Sequence, residues 1–126
     1  DLFTCKAIGI VDINKKKFVK ATQEAYIKIT PSQKRNYIYY EITNLGKSEP
    51  TYTSFKDGNF KYYWIEGGYV GFNENDLSAV LLSQEMIIIY NNCIKSDSID
   101  AFSKEAEGLL NAAEDARHIN DAMKTY

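Results

Sequence analysis

The chain is poor in the residues that build catalytic and metal centres. Its 126 residues include one histidine, His118, and two cysteines, Cys5 and Cys93. Within Asp115-Ala116-Arg117-His118-Ile119-Asn120-Asp121 the imidazole has no second histidine with which to bind zinc or iron. No G-x-S-x-G elbow offers it a nucleophile to activate, so a solvated helix position is expected for His118. Neither cysteine has a ligand-spaced partner, and no metal or cofactor is expected. Long hydrophobic runs are also missing: Met86-Ile87-Ile88-Ile89-Tyr90 falls far short of the roughly 20 apolar residues of a membrane-spanning helix. Charge of one sign does not dominate either. Fifteen basic and seventeen acidic side chains are interspersed, the net charge is −2 and the pI is near 5.4, so nucleic acid is not an expected partner.

Motifs that would signal an enzyme are absent or incomplete. Glu66-Gly67-Gly68-Tyr69-Val70-Gly71 has three glycines but no lysine at the phosphate-loop position, and reads as a hairpin turn. Asn73-Glu74-Asn75-Asp76 lacks the spacing and distal glutamate of a calcium loop. Acids such as Glu41 and Glu66 are not placed across a cleft by any pattern, as carboxylate catalysis requires. A non-enzymatic protein is expected.

What the chain does contain is β-structure. Phe3 to Ile13 is rich in β-branched and aromatic residues, with Gly9 a candidate bulge or close-approach position. Phe18 to Thr22 and Ala25 to Thr30 follow a lysine-rich turn, and Ile27 and Ile29 alternate with Tyr26, Lys28 and Thr30 as in a half-buried strand. Tyr37 to Ile42 puts Ile38, Tyr40 and Ile42 on one face and Tyr37, Tyr39 and Glu41 on the other. Thr51 to Phe55 and Phe60 to Ile65 flank Asp57-Gly58, a hairpin signal. Tyr69 to Phe72, Ser78 to Ser83 and Glu85 to Cys93 complete the series. Seven to nine short strands with frequent turns predict a mainly β fold, a small antiparallel β-barrel or sandwich. One domain is expected from the length.

The character changes after Cys93. From about Ser98 the chain has high helix propensity and no proline, and Phe102, Ala106, Leu109, Ala113, Ala116 and Met123 fall near one stripe. Asp97 or Ser98 would cap this long C-terminal helix, with Asp100 and Lys124 complementing its dipole. Residues 1–96 are thus expected as a closed β domain and residues 97–126 as a helical segment packed on it or on a partner. Cys5 and Cys93 sit at opposite ends of the β-rich stretch and are expected to form one disulfide, the alternative being two buried thiols. A disulfide, the absence of a glycosylation sequon and a start at Asp1 read as a removed signal peptide together suggest a periplasmic or secreted protein of the bacterial envelope.

The aromatic runs Tyr37-Ile38-Tyr39-Tyr40 and Tyr62-Tyr63-Trp64 must send neighbouring rings to opposite sides of a sheet. If Phe60, Tyr62 and Trp64 fill the core, Lys61 and Tyr63 lie outside, beside Tyr37 and Tyr39. Outward tyrosines serve either as protein contact area or as cross-strand pairs. Candidate protein-binding residues are therefore Tyr37, Tyr39 and Tyr63, with Ser54, Lys56, Glu66 and Tyr69 on adjoining turns. In its β-rich layout and its Phe3-Thr4-Cys5 segment the chain is similar to small periplasmic lysozyme-inhibitor barrels. A binding protein that blocks or captures another protein is the leading expectation, as an inhibitor, an immunity protein or an adaptor. The alternatives are a small-ligand carrier with an apolar barrel cavity and an assembly component that docks through its helix.

Overall fold

A computed structural model describes residues 2–21, 25–43, 46–96 and 101–123, without the side chains of Lys47, Ala101 and residues 118–123. In chain order the elements are β1 (Leu2–Asp12), β2 (Lys17–Lys20), β3 (Tyr26–Pro31), β4 (Tyr37–Ile42), β5 (Gly46–Lys47) and β6 (Thr51–Asp57). They continue with β7 (Phe60–Ile65), β8 (Gly68–Asn73), β9 (Ser78–Ser83), β10 (Met86–Ser96) and α1 (Ala101–Met123). Antiparallel pairing runs β10-β9-β8-β7-β6-β4-β3-β1, and β1 returns to β10, so eight strands close a barrel. β2 extends the sheet from β1, and the two-residue β5 pairs with β4. The mainly β fold with one C-terminal helix therefore forms as a barrel.

Alternation fills the interior. Ile27, Ile29, Ile38 and Ile42 point inward from β3 and β4 and are buried. Across β7, β8 and β9, Tyr63, Val70 and Leu81 stand opposite one another and share the inner face. The Phe3 ring meets Phe72 edge-on at 5.0 Å. These side chains pack into one core. A cleft of about 340 Å³ that reaches Phe3 and Pro31 is edged by polar Ser32, Gln33, Arg35 and Glu74.

The barrel closes where its two longest strands meet. Cys5 and Cys93 form a disulfide across this β1–β10 seam, and no free cysteine remains. Thr4 pairs with Ile94 and Lys6 with Asn91, so one residue of β1 faces two of β10. This bulge is accommodated by Asn92 at φ 52° and by the Cys93 N–H, which donates to the Leu77 carbonyl at 3.0 Å. Both cysteines thereby enter the core. A second bulge leaves Ile8 unpaired between Ala7, opposite Tyr90, and Gly9, opposite Ile89. Gly9 is indeed a close-approach site: the Phe18 ring from β2 occupies the space its Cβ would need.

The helix packs on the barrel. Phe102, Ala106 and Leu110 join Leu2, Tyr39 and Tyr37 in a second apolar cluster outside β1, β3 and β4. Beyond them Glu114 is buried and accepts hydrogen bonds from Ser32 Oγ at 2.8 Å and Asn36 Nδ2 at 3.3 Å. The Arg117 guanidinium then lies 3.8 Å from the centre of the Tyr52 ring. The buried stripe therefore runs Phe102-Ala106-Leu110-Glu114, and the expectation of Leu109 and Ala116 on it is corrected: both are exposed. Spacing alone could not choose between adjacent leucines; the polar docking of Glu114 on the β3–β4 turn fixes the rotation. Among the described residues the apolar stripe is occupied by the chain's own sheet. The predicted caps at residues 97, 98 and 100, the C-terminal Lys124, and the side chains of His118 and Met123 lie outside the described residues.

Burial makes the core sensitive to alkali. It pushes the Tyr63 and Tyr90 phenols up from 10.0 to about 12, Tyr63 against the opposing effect of its hydrogen bond with Thr53. Between those values the unfolded chain has lost protons that the folded chain retains, so stability falls as pH rises. This contribution is complete below pH 10 and disappears between pH 10 and 12, at up to about 1.4 kcal/mol per pH unit for each tyrosine. Urea unfolding from pH 9 to 11.5 should show the decline, and Tyr63→Phe should make it shallower. A flat profile would contradict the buried placement of both rings.

Candidate protein interface

The sequence-predicted contact residues separate in the structure. Tyr63 is 1% exposed inside the barrel, so its proposed outward placement is corrected; Phe60, Tyr62 and Trp64 occupy the outer side instead. One phase of Phe-Lys-Tyr-Tyr-Trp-Ile is wholly aromatic and the other holds Lys61, Tyr63 and Ile65, so ring content alone points to the wrong inner face. The register with Val70 decides the phase. Tyr39 does point out of the barrel, but α1 covers it, its ring 5.2 Å from Phe102 and its exposure only 2%. Neither Tyr39 nor Tyr63 can meet a partner in this fold. Tyr37 is half-buried against Tyr52, 5.5 Å between ring centres. Ser54 is half-buried in β6, while Lys56 and Glu66 are exposed near the turns at either end of β7.

Tyr69 belongs to a different grouping, which lies on the outer wall of β6, β7 and β8. Phe55 stacks on Tyr62 at 4.7 Å and meets Tyr69 edge-on at 5.2 Å. Phe60 extends the row from Tyr62 at 6.0 Å, and Trp64 closes it from Tyr69 at 5.2 Å. The strand register explains the assembly. Phe55, Tyr62, Gly71 and Val80 stand opposite one another in one outward row, and Trp64, Tyr69 and Leu82 in the next. Gly71 permits the close packing: a Cβ there would fall 2.7 Å from the Tyr62 ring and 2.8 Å from a Val80 methyl. The five linked rings form a panel that meets water through its central ring, Phe55 at 44% exposure, and through Trp64 at one end, at 54%.

A recess of about 420 Å³ opens beside this panel, lined by Trp64, Tyr69, Leu82 and Gly68 together with the β7–β8 and β9–β10 turns. It offers an apolar floor with Ser83 and Gln84 at its edge, the arrangement of an anchor pocket with a polar rim. The outward rows continue past β9 through Ile87 and Ile89 to Val11 and Phe18, so the wall away from α1 carries an apolar belt. Its next outward row is polar, with Asn73 opposite Ser78.

Charged groups gather instead near the barrel end. Arg35 and Glu74 pair at 3.0 Å and line a recess of about 130 Å³ with Lys61 and Tyr63. Burial lowers the Lys61 pKa first, followed by the charges of Lys56 and Arg35, with Glu74 acting in the opposite direction. Among the described residues no three His, Cys, Asp or Glu side chains converge as metal ligands would, and no helix is long and apolar enough to cross a membrane.

Trp64, Phe55, Tyr62 and Leu82 were missed by sequence reasoning. A usable signal was present in Gly71, since a strand glycine can mark a wall position covered by a neighbouring ring. Fold and site together define a class: a small disulfide-closed antiparallel β-barrel with one wall covered by its own helix and an aromatic panel on another. Comparison with protein families, with curated proteins and with solved structures finds no match for this chain.

Proposed function

We propose that this is a non-enzymatic binding protein of an oxidising compartment, the periplasm or the exterior of the cell, which docks another protein on its aromatic panel and so blocks or captures it. The observation that carries the reading is the water-exposed row of linked rings on β6–β8 beside an apolar recess. Contiguous apolar surface of this kind is uncommon on a protein that works alone, and rigid aromatics give contact area at little entropic cost. α1 covers the outward tyrosine of β4, yet nothing among the described elements covers the panel. The disulfide supports the compartment, because thiols are kept reduced in most cytosols.

Replacing Phe55 and Trp64 together by serine tests the reading. Both side chains project into solvent, so the melting temperature should change little. Affinity for a protein retained from envelope extract by the unmodified chain should fall at least about 30-fold, the effect of removing a central aromatic anchor. Undiminished retention of that protein by the double variant would count against the panel as the docking surface.

A further inference from the structure

The closed barrel has an open edge at β2. Among the described residues β2 pairs with β1 alone, through Lys17 opposite Asp12, Phe18 opposite Val11, Val19 opposite Ile10 and Lys20 opposite Gly9. All four of its residues are exposed, Phe18 at 60% and Val19 at 50%. The Ala21 N–H donates to the Ile8 carbonyl at 3.2 Å, which places residue 21 in a hydrogen-bonded pair with β1. Bonded and non-bonded pairs alternate along an antiparallel ladder, so the main-chain groups of Phe18 and Lys20 point away from β1. The Phe18 ring lies against Gly9.

We propose that β2 is a docking edge that takes up an extended segment of an acidic partner protein as an added strand. This goes beyond the aromatic panel and does not depend on it. The side-chain order Lys17-Phe18-Val19-Lys20 prescribes the occupant: an acidic, apolar, apolar, acidic quartet in register, with carboxylates opposite the two lysines. Lys15 and Lys16 in the preceding turn add to the positive field. The nearby acid, Asp12, is engaged at Oδ1 by the Lys15 N–H at 3.0 Å. A concentration of four lysines in a chain of net charge −2 is complementary to an acidic strand. A second copy is the wrong occupant, since β2 carries no carboxylate and pairing two such edges would bring two lysine clusters together. A lipid surface would answer the lysines and Phe18 but could not hydrogen-bond the outward main-chain groups in register.

The test uses the full chain and a fluorescein-labelled octapeptide, Gly-Thr-Glu-Ile-Val-Glu-Thr-Gly, read by anisotropy. Saturable binding is expected, at least ten-fold tighter than for the same peptide with lysine in place of glutamate. The Lys17→Glu, Lys20→Glu variant should reverse that preference, its fold checked by an unchanged melting temperature. N-methylation of the peptide amides that face β2 should weaken binding at least ten-fold. Equal affinity for the two peptide charges, or binding untouched by N-methylation, would overturn the proposal. So would absence of peptide binding together with adsorption to phosphatidylglycerol vesicles, which would assign the lysines to a membrane surface. Failure here leaves the Phe55 and Trp64 test unaffected.

Discussion

Replacing Cys5 and Cys93 together by alanine is expected to lower the unfolding free energy by about 4.5 kcal/mol, the chain-entropy value for a loop of this length. The two residues are 88 apart in sequence and join the strands that close the barrel, so the bond restricts nearly the whole β-domain in the unfolded state. Small domains have about 5–15 kcal/mol in all, and a loss of this size would leave the chain close to the unfolding threshold. Alanine is the suitable replacement because both positions lie in the apolar core, where a serine hydroxyl would add a desolvation cost. Equilibrium urea unfolding of the oxidised and doubly substituted chains measures the difference. The helical signal should be lost in the same transition, because α1 rests on Leu2 and Tyr39. A change below about 1 kcal/mol, or a helix that survives separately, would contradict this account of the seam.

Phe102→Ala is expected to cost about 3–5 kcal/mol, the range for emptying a buried aromatic site. Its ring packs against Tyr39 at 5.2 Å, and the Lys28 ammonium lies 5.9 Å from its centre. Without it the Tyr39 ring loses its cover, and among the described side chains α1 keeps Ala106 and Leu110 as buried apolar contacts, with Glu114 as a polar one. Leu109→Ala serves as the control, since Leu109 is exposed and should change stability by no more than about 0.5 kcal/mol. Equal effects at the two positions would mean that the helix is rotated from the orientation described, or that it does not rest on the barrel.

Much of the fold was legible because inward and outward residues differ in type along several strands. Ile27 and Ile29 alternate with polar neighbours, and Ile38 and Ile42 mark the inner face of β4, so the period of two identifies both strand and face. Legibility fails where both faces carry rings. In β7 the phase of Phe60, Tyr62 and Trp64 is the more aromatic, yet pairing with β8 shows that Tyr63 enters while Tyr62 and Trp64 leave. Tyr39 shows a different limit. Its direction followed from alternation, but its burial depends on a helix more than 60 residues later in the chain. The seam was legible as a cysteine pair, whereas its bulge at Asn92 was not, because asparagine tolerates positive φ without announcing where it will be used.

The candidate site was accordingly only partly visible. Tyr69 and Glu66 were picked from the turn they flank, and Tyr69 does belong to the panel. The rest of the panel depends on which faces of three neighbouring strands align, a property of register that turns, glycines and bulges set together. The edge at β2 is hidden for the same reason: Lys17 to Lys20 resembles any short strand until the sheet is assembled and one side of it is left unpaired among the described residues.

Site-specific photo-crosslinking tests the docking claim most directly. A benzoylphenylalanine at position 64 keeps an aromatic side chain on the panel, and the same probe at position 107 reports from the exposed face of α1. Irradiation of cells producing each chain should give a discrete covalent adduct with another protein from position 64 and none from position 107. No adduct from position 64, or the same adducts from both positions, would contradict the aromatic panel as the surface on which this barrel meets its partner.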